Sequence, residues 1–181
     1  MNNFQTKQAF RRQAGLTLIE AVAFLAIFGM VIMGALSLFG SASSSERSTS
    51  FVSQITAIRA ATQQMWNGQG TYGTGTAGNI NNTLNTAKRI PTSLKVDTTT
   101  NPVTITNQDN GTITITGNGS SFTVTSTNHP ADVCTAAVST LSGQSWSAIS
   151  VNGAAQSLPV SPSTAATACS LAANTVLLTS N

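Results

Sequence analysis

The chain carries an uninterrupted apolar run close to its N-terminus. Residues 21–40 read AVAFLAIFGMVIMGALSLFG and contain no charged side chain. A helix rises about 1.5 Å per residue, so this run corresponds to about 30 Å of helix, enough to cross the hydrocarbon core of a bilayer. The pattern predicts one membrane-spanning segment.

The helical pattern continues past the apolar run in a two-faced form. Residues suited to a buried face recur at spacings of four, three, four and three, at Phe51, Ile55, Ile58, Thr62 and Met65. This spacing places them on one side of a helix. Asn67-Gly68 then gives a helix-stop signal. We predict one helix over about residues 16–66, apolar on all sides over 16–40 and amphipathic over 41–66.

The second half of the chain has the alternation typical of strands. Strand patterns occur at residues 103–106, 112–116, 122–125, 148–151 and 175–178. Asn-Gly and Gly-Asn-Gly turns separate the first three, which predicts an antiparallel meander. Its apolar face needs a cover, and the long helix is the obvious one.

Two shorter helices are predicted in the same region. One lies near Leu84 to Lys88, and the other runs from Ala131 to Leu141. The rest of residues 67–101 reads as an irregular loop, and so does the Pro-containing segment between the last two strands. Residues 67–181 are therefore expected to form one α+β globular region.

Charge is scarce and unevenly placed. Charged residues make up 7% of the chain, against roughly 25% in an ordinary soluble domain. The net charge is +3, and three of the eight basic residues lie in residues 1–15, which leaves five bases against five acids. The basic balance is therefore no argument for nucleic-acid binding; Lys and Arg beside an apolar segment favour a cytoplasmic N-terminus.

Glu20 is the exceptional residue, because it lies at the edge of the apolar run. A carboxylate inside a membrane helix costs roughly 2.5–3.5 kcal/mol on insertion scales and points to a function. The alternative is a carboxylate tolerated at the lipid interface. An ordinary secretory signal, with Ser41-Ala42-Ser43 as its small-residue cleavage site, is a further alternative, but its apolar region would be shorter and Glu20 would have no role.

The residues before and after Glu20 form a recognisable pattern. A basic leader ends in Gly15, and Leu16-Thr17-Leu18-Ile19 precedes Glu20 and the apolar run. This resembles the class III signal of type IV pilins. The resemblance implies that a membrane-embedded prepilin peptidase removes residues 1–15 by cutting between Gly15 and Leu16, and then methylates the new Leu16 amine.

Cleavage would give Glu20 a charged partner. The new amine of Leu16 is cationic and would lie about one helical turn from Glu20 of the same chain. In a packed bundle, Glu20 of one subunit could instead meet the amine of its neighbour. An apolar surround punishes an unpaired charge, so Glu20 is expected to set the register between subunits.

The 15-residue leader and the Leu16 start resemble the type IVb branch, which includes bundle-forming, toxin-coregulated and conjugative thin-pilus subunits. The resemblance implies a helical homopolymer on the cell surface that supports adhesion, aggregation, motility or conjugation. Its expected partners are the prepilin peptidase, the inner membrane, the pilus assembly machinery and minor pilins. Cys134 and Cys169 would correspond to the disulfide that closes the C-terminal region; an even cysteine count in an exported chain fits one disulfide, and two buried free thiols are the alternative.

Nothing in the sequence predicts an enzyme, a metal site or a cofactor. His129 is the single histidine, and the acids Asp97, Asp109 and Asp132 are scattered around it, so no triad is expected. His129-Pro130 is expected to open a turn, and residues 107–111 to form a hairpin turn rather than a calcium loop.

Other functions stay open at the sequence level. A type II secretion pseudopilin or a minor pilin would share the leader and the helix. A monomeric periplasmic receptor or enzyme with a signal anchor would be uncleaved at Gly15 and would tolerate loss of Glu20. Trp66 and Trp146 either bind a ligand or pack the helix on the sheet.

Overall fold

The computed structural model describes residues 17–181 and has an α+β fold. Over that range the elements are α1 (Leu18–Trp66), α2 (Asn79–Thr86), β1 (Lys95–Asp97), β2 (Thr104–Thr106), β3 (Thr112–Asn118), β4 (Ser121–His129), α3 (Ala131–Ser142), β5 (Ala148–Val151), β6 (Ala154–Gln156), α4 (Pro162–Ala168) and β7 (Asn174–Ser180). Gly15 and Leu16 lie outside the described residues.

The chain divides into two compact units, one ending at Ser41 and one spanning Ala42–Asn181. We call the second the head unit. The described part of the first unit is the apolar half of α1, residues 18–41, preceded by Thr17. The remainder of α1 belongs to the head unit and ends at Trp66, the residue at which the sequence predicts the helix to stop.

The seven strands form one sheet in the order β1-β2-β3-β4-β7-β5-β6, with antiparallel pairing throughout. The predicted meander is confirmed as β2 to β4, extended by β1 at the edge. In β3, and in β4 as far as Ser126, every second residue is buried, because successive side chains of a strand point to opposite faces. Ile115 pairs with Val124, and Val124 pairs with Leu178, so three strands contribute to one apolar layer.

The amphipathic half of α1 covers that layer. Phe51, Ile55 and Ile58 are 0–1% exposed and belong to the same core cluster as the apolar residues of the sheet. Thr62, also on the buried face, donates its hydroxyl hydrogen bond to the Ile58 carbonyl, so its polar group needs no partner in the core. The predicted helix-on-sheet packing is confirmed.

Several sequence predictions are wrong in detail. The short helix is α2, which begins at Asn79 rather than near Leu84 and ends before Lys88, a residue with φ of 53°. β1 lies inside the segment that the sequence predicts to be a loop, because its three residues are too few to show alternation. The hairpin turn predicted at residues 107–111 is confirmed between β2 and β3.

The Pro-containing segment also holds more structure than expected. It contains strand β6 and helix α4. The Oγ atom of Ser161 accepts a hydrogen bond from the backbone N–H of Thr164, and Pro162 is the first helical residue. Ser at the N-cap followed by Pro is a known start signal, so this helix was readable from the sequence.

Candidate assembly segment and buried head network

The apolar half of α1 exposes an unusual amount of hydrophobic surface. Its large apolar side chains range from 43% exposed at Ile32 to 86% at Leu18. Soluble proteins rarely expose contiguous apolar surface on this scale. One helix in the described range, α1, is long and apolar enough to cross a membrane. This segment therefore needs a cover, either lipid or other apolar helices.

Glu20 lies in the first turn of α1, and its side chain is exposed. The Thr17 carbonyl accepts hydrogen bonds from the backbone N–H groups of Glu20 and Ala21, at 3.0 and 3.1 Å. The free N–H groups of a helix start carry partial positive charge, which favours a carboxylate there by about 0.3–1 kcal/mol. This stabilisation is smaller than the free-energy cost of placing the Glu20 carboxylate in a bilayer. Among residues 17–181, Glu20 has no ion-pair partner.

Polar contacts join the amphipathic half of α1 to the sheet side of the head unit. The Arg47 Nη1 atom lies 3.4 Å from Asp109 Oδ1, and the Gln108 amide donates to the Arg47 carbonyl at 2.6 Å. Ser44 donates to the Asp132 carboxylate, and this hydrogen bond holds the pKa of Asp132 below its ordinary value. These contacts fix the helix against the β2–β3 turn and the start of α3.

A second set of contacts fixes the C-terminal part of the helix. Arg59 Nε donates to Ser180 Oγ at 3.0 Å, and its guanidinium carbon lies 4.8 Å from the centre of the Trp146 ring. Such cation–π contacts contribute about 0.5–2 kcal/mol. Trp146 is buried and packs in the core, as one of its two sequence interpretations predicts.

The head unit contains a buried Ser-His-Asp chain that the sequence prediction excluded. His129 Nδ1 lies 2.8 Å from Asp109 Oδ2, and His129 Nε2 lies 2.8 Å from Ser126 Oγ. The order and distances match those of a hydrolytic triad. The prediction that the acids are scattered around His129 is therefore wrong for Asp109, whereas in residues 17–181 neither Asp97 nor Asp132 forms a hydrogen bond with the imidazole. His129 is also the last residue of β4 rather than the opening of a turn.

The hydrogen-bond partners indicate which atoms of the Ser126-His129-Asp109 network carry protons. A neutral His129 donates from Nδ1 to Asp109, and its Nε2 accepts from the Ser126 hydroxyl, whose oxygen in turn accepts from the Asn107 amide at 3.1 Å. If Nε2 were protonated, the Ser126 hydroxyl hydrogen would lose its acceptor. Burial lowers the pKa of His129, and the opposing effect of Asp109 only partly offsets this. The neutral imidazole is the form that fits.

Burial decides what this chain of groups can do. Ser126 and His129 are fully buried, and the ring of Phe51 lies 4.1 Å from the imidazole ring. A catalytic serine must be accessible to its substrate. Here the Phe51 side chain and the sheet occupy the space beside Ser126 and His129 that a substrate would need. The network therefore holds α1, the β2–β3 turn and β4 together. The sequence signal for this network is weak. Ser126 and His129 are three residues apart, so a regular strand would place them on opposite faces. The bulge in the β4–β7 pairing lies between them, and both side chains are buried.

The two cysteines are joined. Cys134 on α3 and Cys169 directly after α4 form a disulfide with a Cα–Cα distance of 5.8 Å. It closes a loop with a sequence separation of 35 that contains β5 and β6. The predicted pairing is confirmed, and the two-thiol alternative is wrong.

The comparisons with known proteins agree with this architecture. A family model described as PilS N terminal matches residues 45–181, more than half of the chain. The crystal structure of a type IVb pilin from Salmonella typhi is similar at TM-score 0.61 and 21% identity, over 70% of this chain and 95% of that one. TcpA, a type IV pilin from the El Tor biotype of Vibrio cholerae, is similar at TM-score 0.53 and 14% identity, over 75% of this chain and 99% of that one. No curated protein sequence matches this chain at a significant level.

Proposed function

The chain belongs to the PilS N-terminal family of type IV pilins and is a structural pilus subunit; from this premise we propose how it is processed and assembled. The observation that supports the proposal most strongly is the exposed apolar half of α1, with a single carboxylate at its start. A soluble monomer would leave this apolar surface in contact with water, which is unfavourable. A subunit that moves from a bilayer into a bundle of like helices needs it in both places.

The precursor is a single-pass protein of the inner membrane with its N-terminus in the cytoplasm. The three basic residues of the leader, Lys7, Arg11 and Arg12, support this orientation, because basic flanks stay on the cytoplasmic side. The prepilin peptidase cuts between Gly15 and Leu16, where the absence of a glycine side chain allows close approach of the enzyme to the backbone. The head unit is then periplasmic and later extracellular.

Glu20 sets the axial position of each new subunit. In the fibre its carboxylate pairs with the methylated Leu16 amine of a neighbouring subunit, surrounded by apolar helices. An unpaired charge in such surroundings costs several kcal/mol, so only the register that forms the pair is stable. The assembly machinery and minor pilins act on this membrane-held subunit.

We expect Glu20→Ala to be processed normally but to yield few fibres, because the variant keeps the leader and loses the registering charge. Fibres in sheared surface material are counted by negative-stain microscopy, and processing is read from the intact mass of the membrane-bound chain. Glu46→Ala is the matched control: it removes an exposed carboxylate from the same helix, on the head unit. Normal fibre numbers in Glu20→Ala would refute the register role.

A further inference from the structure

A cavity of about 440 Å³ lies where α1 ends. Its volume is within the range of roughly 300–1,000 Å³ that small-molecule sites occupy. It is lined by Gln63, Gln64, Trp66, Asn67, Gly68, Gly70, Thr71, Tyr72, Ser120 and Asn181. Among these residues two are aromatic, and none carries a side chain that is charged at neutral pH. The lining therefore combines aromatic surface with neutral hydrogen-bonding groups.

The aromatic wall of this cavity is held in place from behind. The Tyr72 and Trp66 ring centres are 6.3 Å apart, and Tyr72 packs 4.8 Å from Phe122, which is fully buried in the core. Aromatic pairs at such distances stabilise one another. Neither ring needs to be ordered when a ligand arrives, which lowers the entropic cost of binding.

The backbone of the Tyr72 segment is fixed as well. Tyr72 N donates to the Gly119 carbonyl at 2.7 Å, and Gly119 N donates to the Gly73 carbonyl at 3.0 Å. A Cβ on Gly117 would lie 2.1 Å from the Tyr72 carbonyl oxygen, so only glycine allows this approach. The β3–β4 turn thus positions the wall by close backbone contact.

Several polar groups that line the cavity lie at its solvent-accessible rim, and none of them has a hydrogen-bond partner within residues 17–181. In the described part of the chain, the side chains of Gln64, Asn67 and Ser120 make no hydrogen bond, and neither do the Tyr72 hydroxyl and the Trp66 indole N–H. By contrast, the Gln63 amide nitrogen donates hydrogen bonds to Asn181 O at 3.1 Å and to Ser180 Oγ at 3.3 Å. The free groups include both donors and acceptors.

We propose that this cavity binds a neutral carbohydrate. The C–H face of a pyranose ring is apolar and fits an aromatic wall, while its hydroxyl groups donate and accept hydrogen bonds around the rim. Amide and hydroxyl side chains match those hydroxyls without selecting a charge. An anionic ligand would find no cation here, and a purely apolar ligand would leave the rim groups unsatisfied.

The proposal goes beyond the role in fibre assembly and is tested without fibres. The full-length chain is kept in a zwitterionic detergent, because glycoside detergents would themselves present a sugar. Maltotriose, chitotriose and the anionic sialyllactose serve as probes, and contact is measured by saturation-transfer NMR, with affinity from titration. We expect binding of at least one neutral probe, with ring protons receiving the saturation, and weaker binding of sialyllactose.

Variants of the rim and the wall locate the site. Gln64→Ala and Asn67→Ala should each weaken binding by about 2- to 10-fold, the loss expected for one or two neutral hydrogen bonds. Gln69→Ala is the matched control, because its amide lies on the same turn, outside the lining, and contacts the Met65 carbonyl. Trp66→Ala and Gly117→Ala should reduce binding further by removing or displacing the wall.

The outcomes separate this proposal from the assembly role. Unchanged affinity in Gln64→Ala and Asn67→Ala, no binding of any neutral probe at tens of millimolar, or a preference for sialyllactose would each overturn the carbohydrate site. Gln64 and Asn67 are exposed, so their alanine variants are expected to fold and test the site even if Trp66→Ala does not fold. Glu20→Ala should bind the probe normally, and Gln64→Ala should still form fibres, so either idea can fail alone.

Discussion

At the residue scale, the buried network of Asp109, His129 and Ser126 links the stability of the head unit to pH. Each group satisfies the next, and Arg47 adds a charge contact from the helix at 3.4 Å. A buried polar network stabilises a fold only when every member is satisfied. The protonation state of His129 is therefore linked to folding.

We expect the head unit to lose stability as the pH falls from about 8 to about 5.5, above the range in which ordinary carboxylates titrate. Burial lowers the pKa of His129 below its ordinary value of 6.5. In the window below 6.5 and above that lowered pKa, the unfolded chain takes up a proton that the folded chain does not, so stability decreases with falling pH. The slope for one proton is at most about 1.4 kcal/mol per pH unit.

Urea unfolding of the full-length chain at several pH values measures this slope. His129→Gln is the informative variant, because glutamine can donate to Asp109 and accept from Ser126 without titrating. It should flatten the pH dependence over the same window. Higher stability at pH 5.5 than at pH 8 in the unmodified chain would mean that Asp109 holds a protonated imidazole, contrary to this assignment.

At the element scale, α1 is one helix with two different surfaces. In the apolar half every large side chain is exposed, whereas in the amphipathic half Phe51, Ile55 and Ile58 are buried in the core of the head unit. The periodicity of the sequence predicts both surfaces. The prediction succeeds because the spacing of apolar residues recurs over many turns of a long helix, which makes the periodicity easy to recognise.

Two phenylalanines of α1 test that division. Phe51→Ala should lower the free energy of unfolding of the head unit by about 3–5 kcal/mol, because it leaves a cavity in the hydrophobic core beside the imidazole of His129. Phe39→Ala removes the same side chain from a position that is 75% exposed and should change that free energy little. Urea midpoints in detergent compare the two. Equal losses would show that the apolar half contributes to the stability of the head unit.

Short elements were harder to predict than α1. β1 and β6 have three residues each, too few for alternation, and their strand conformation depends on pairing with β2 and β5. α4 has seven residues of low hydrophobicity, and the disulfide at Cys169 ties its end to α3. The two strands owe their conformation to tertiary contacts, which local sequence does not encode. The start of α4, by contrast, carries a local signal in Ser161 and Pro162.

At the scale of the whole molecule, the disulfide and the long helix define the fold. The pairing of Cys134 with Cys169 follows from there being only two cysteines in an exported chain. The Ser-His-Asp contact could not be predicted in this way, because Asp109 and His129 lie on different elements that meet only when β4 pairs with its neighbours. Compositional arguments fix the class of a protein but not such contacts.

Removing the disulfide should destabilise the head unit without changing its fold. We expect the double variant Cys134→Ala and Cys169→Ala to lose about 2–5 kcal/mol of unfolding free energy, chiefly because the unfolded chain becomes less constrained. Urea unfolding with and without reductant measures the effect. The unmodified chain should become reductant-sensitive and the double variant should not; equal midpoints for both proteins under oxidising conditions would exclude a stabilising role.

This chain is a pilus subunit, and we propose that it enters the fibre only after cleavage at Gly15. The most direct measurement is the intact mass and N-terminal sequence of the main protein in sheared surface fibres, with Gly15→Val cells as the control. We predict a chain that begins at an N-methylated Leu16, and no fibres from the Gly15→Val cells, whose chain keeps its leader. Fibres built from a chain that still begins at Met1, or fibres that lack this chain altogether, would contradict the account.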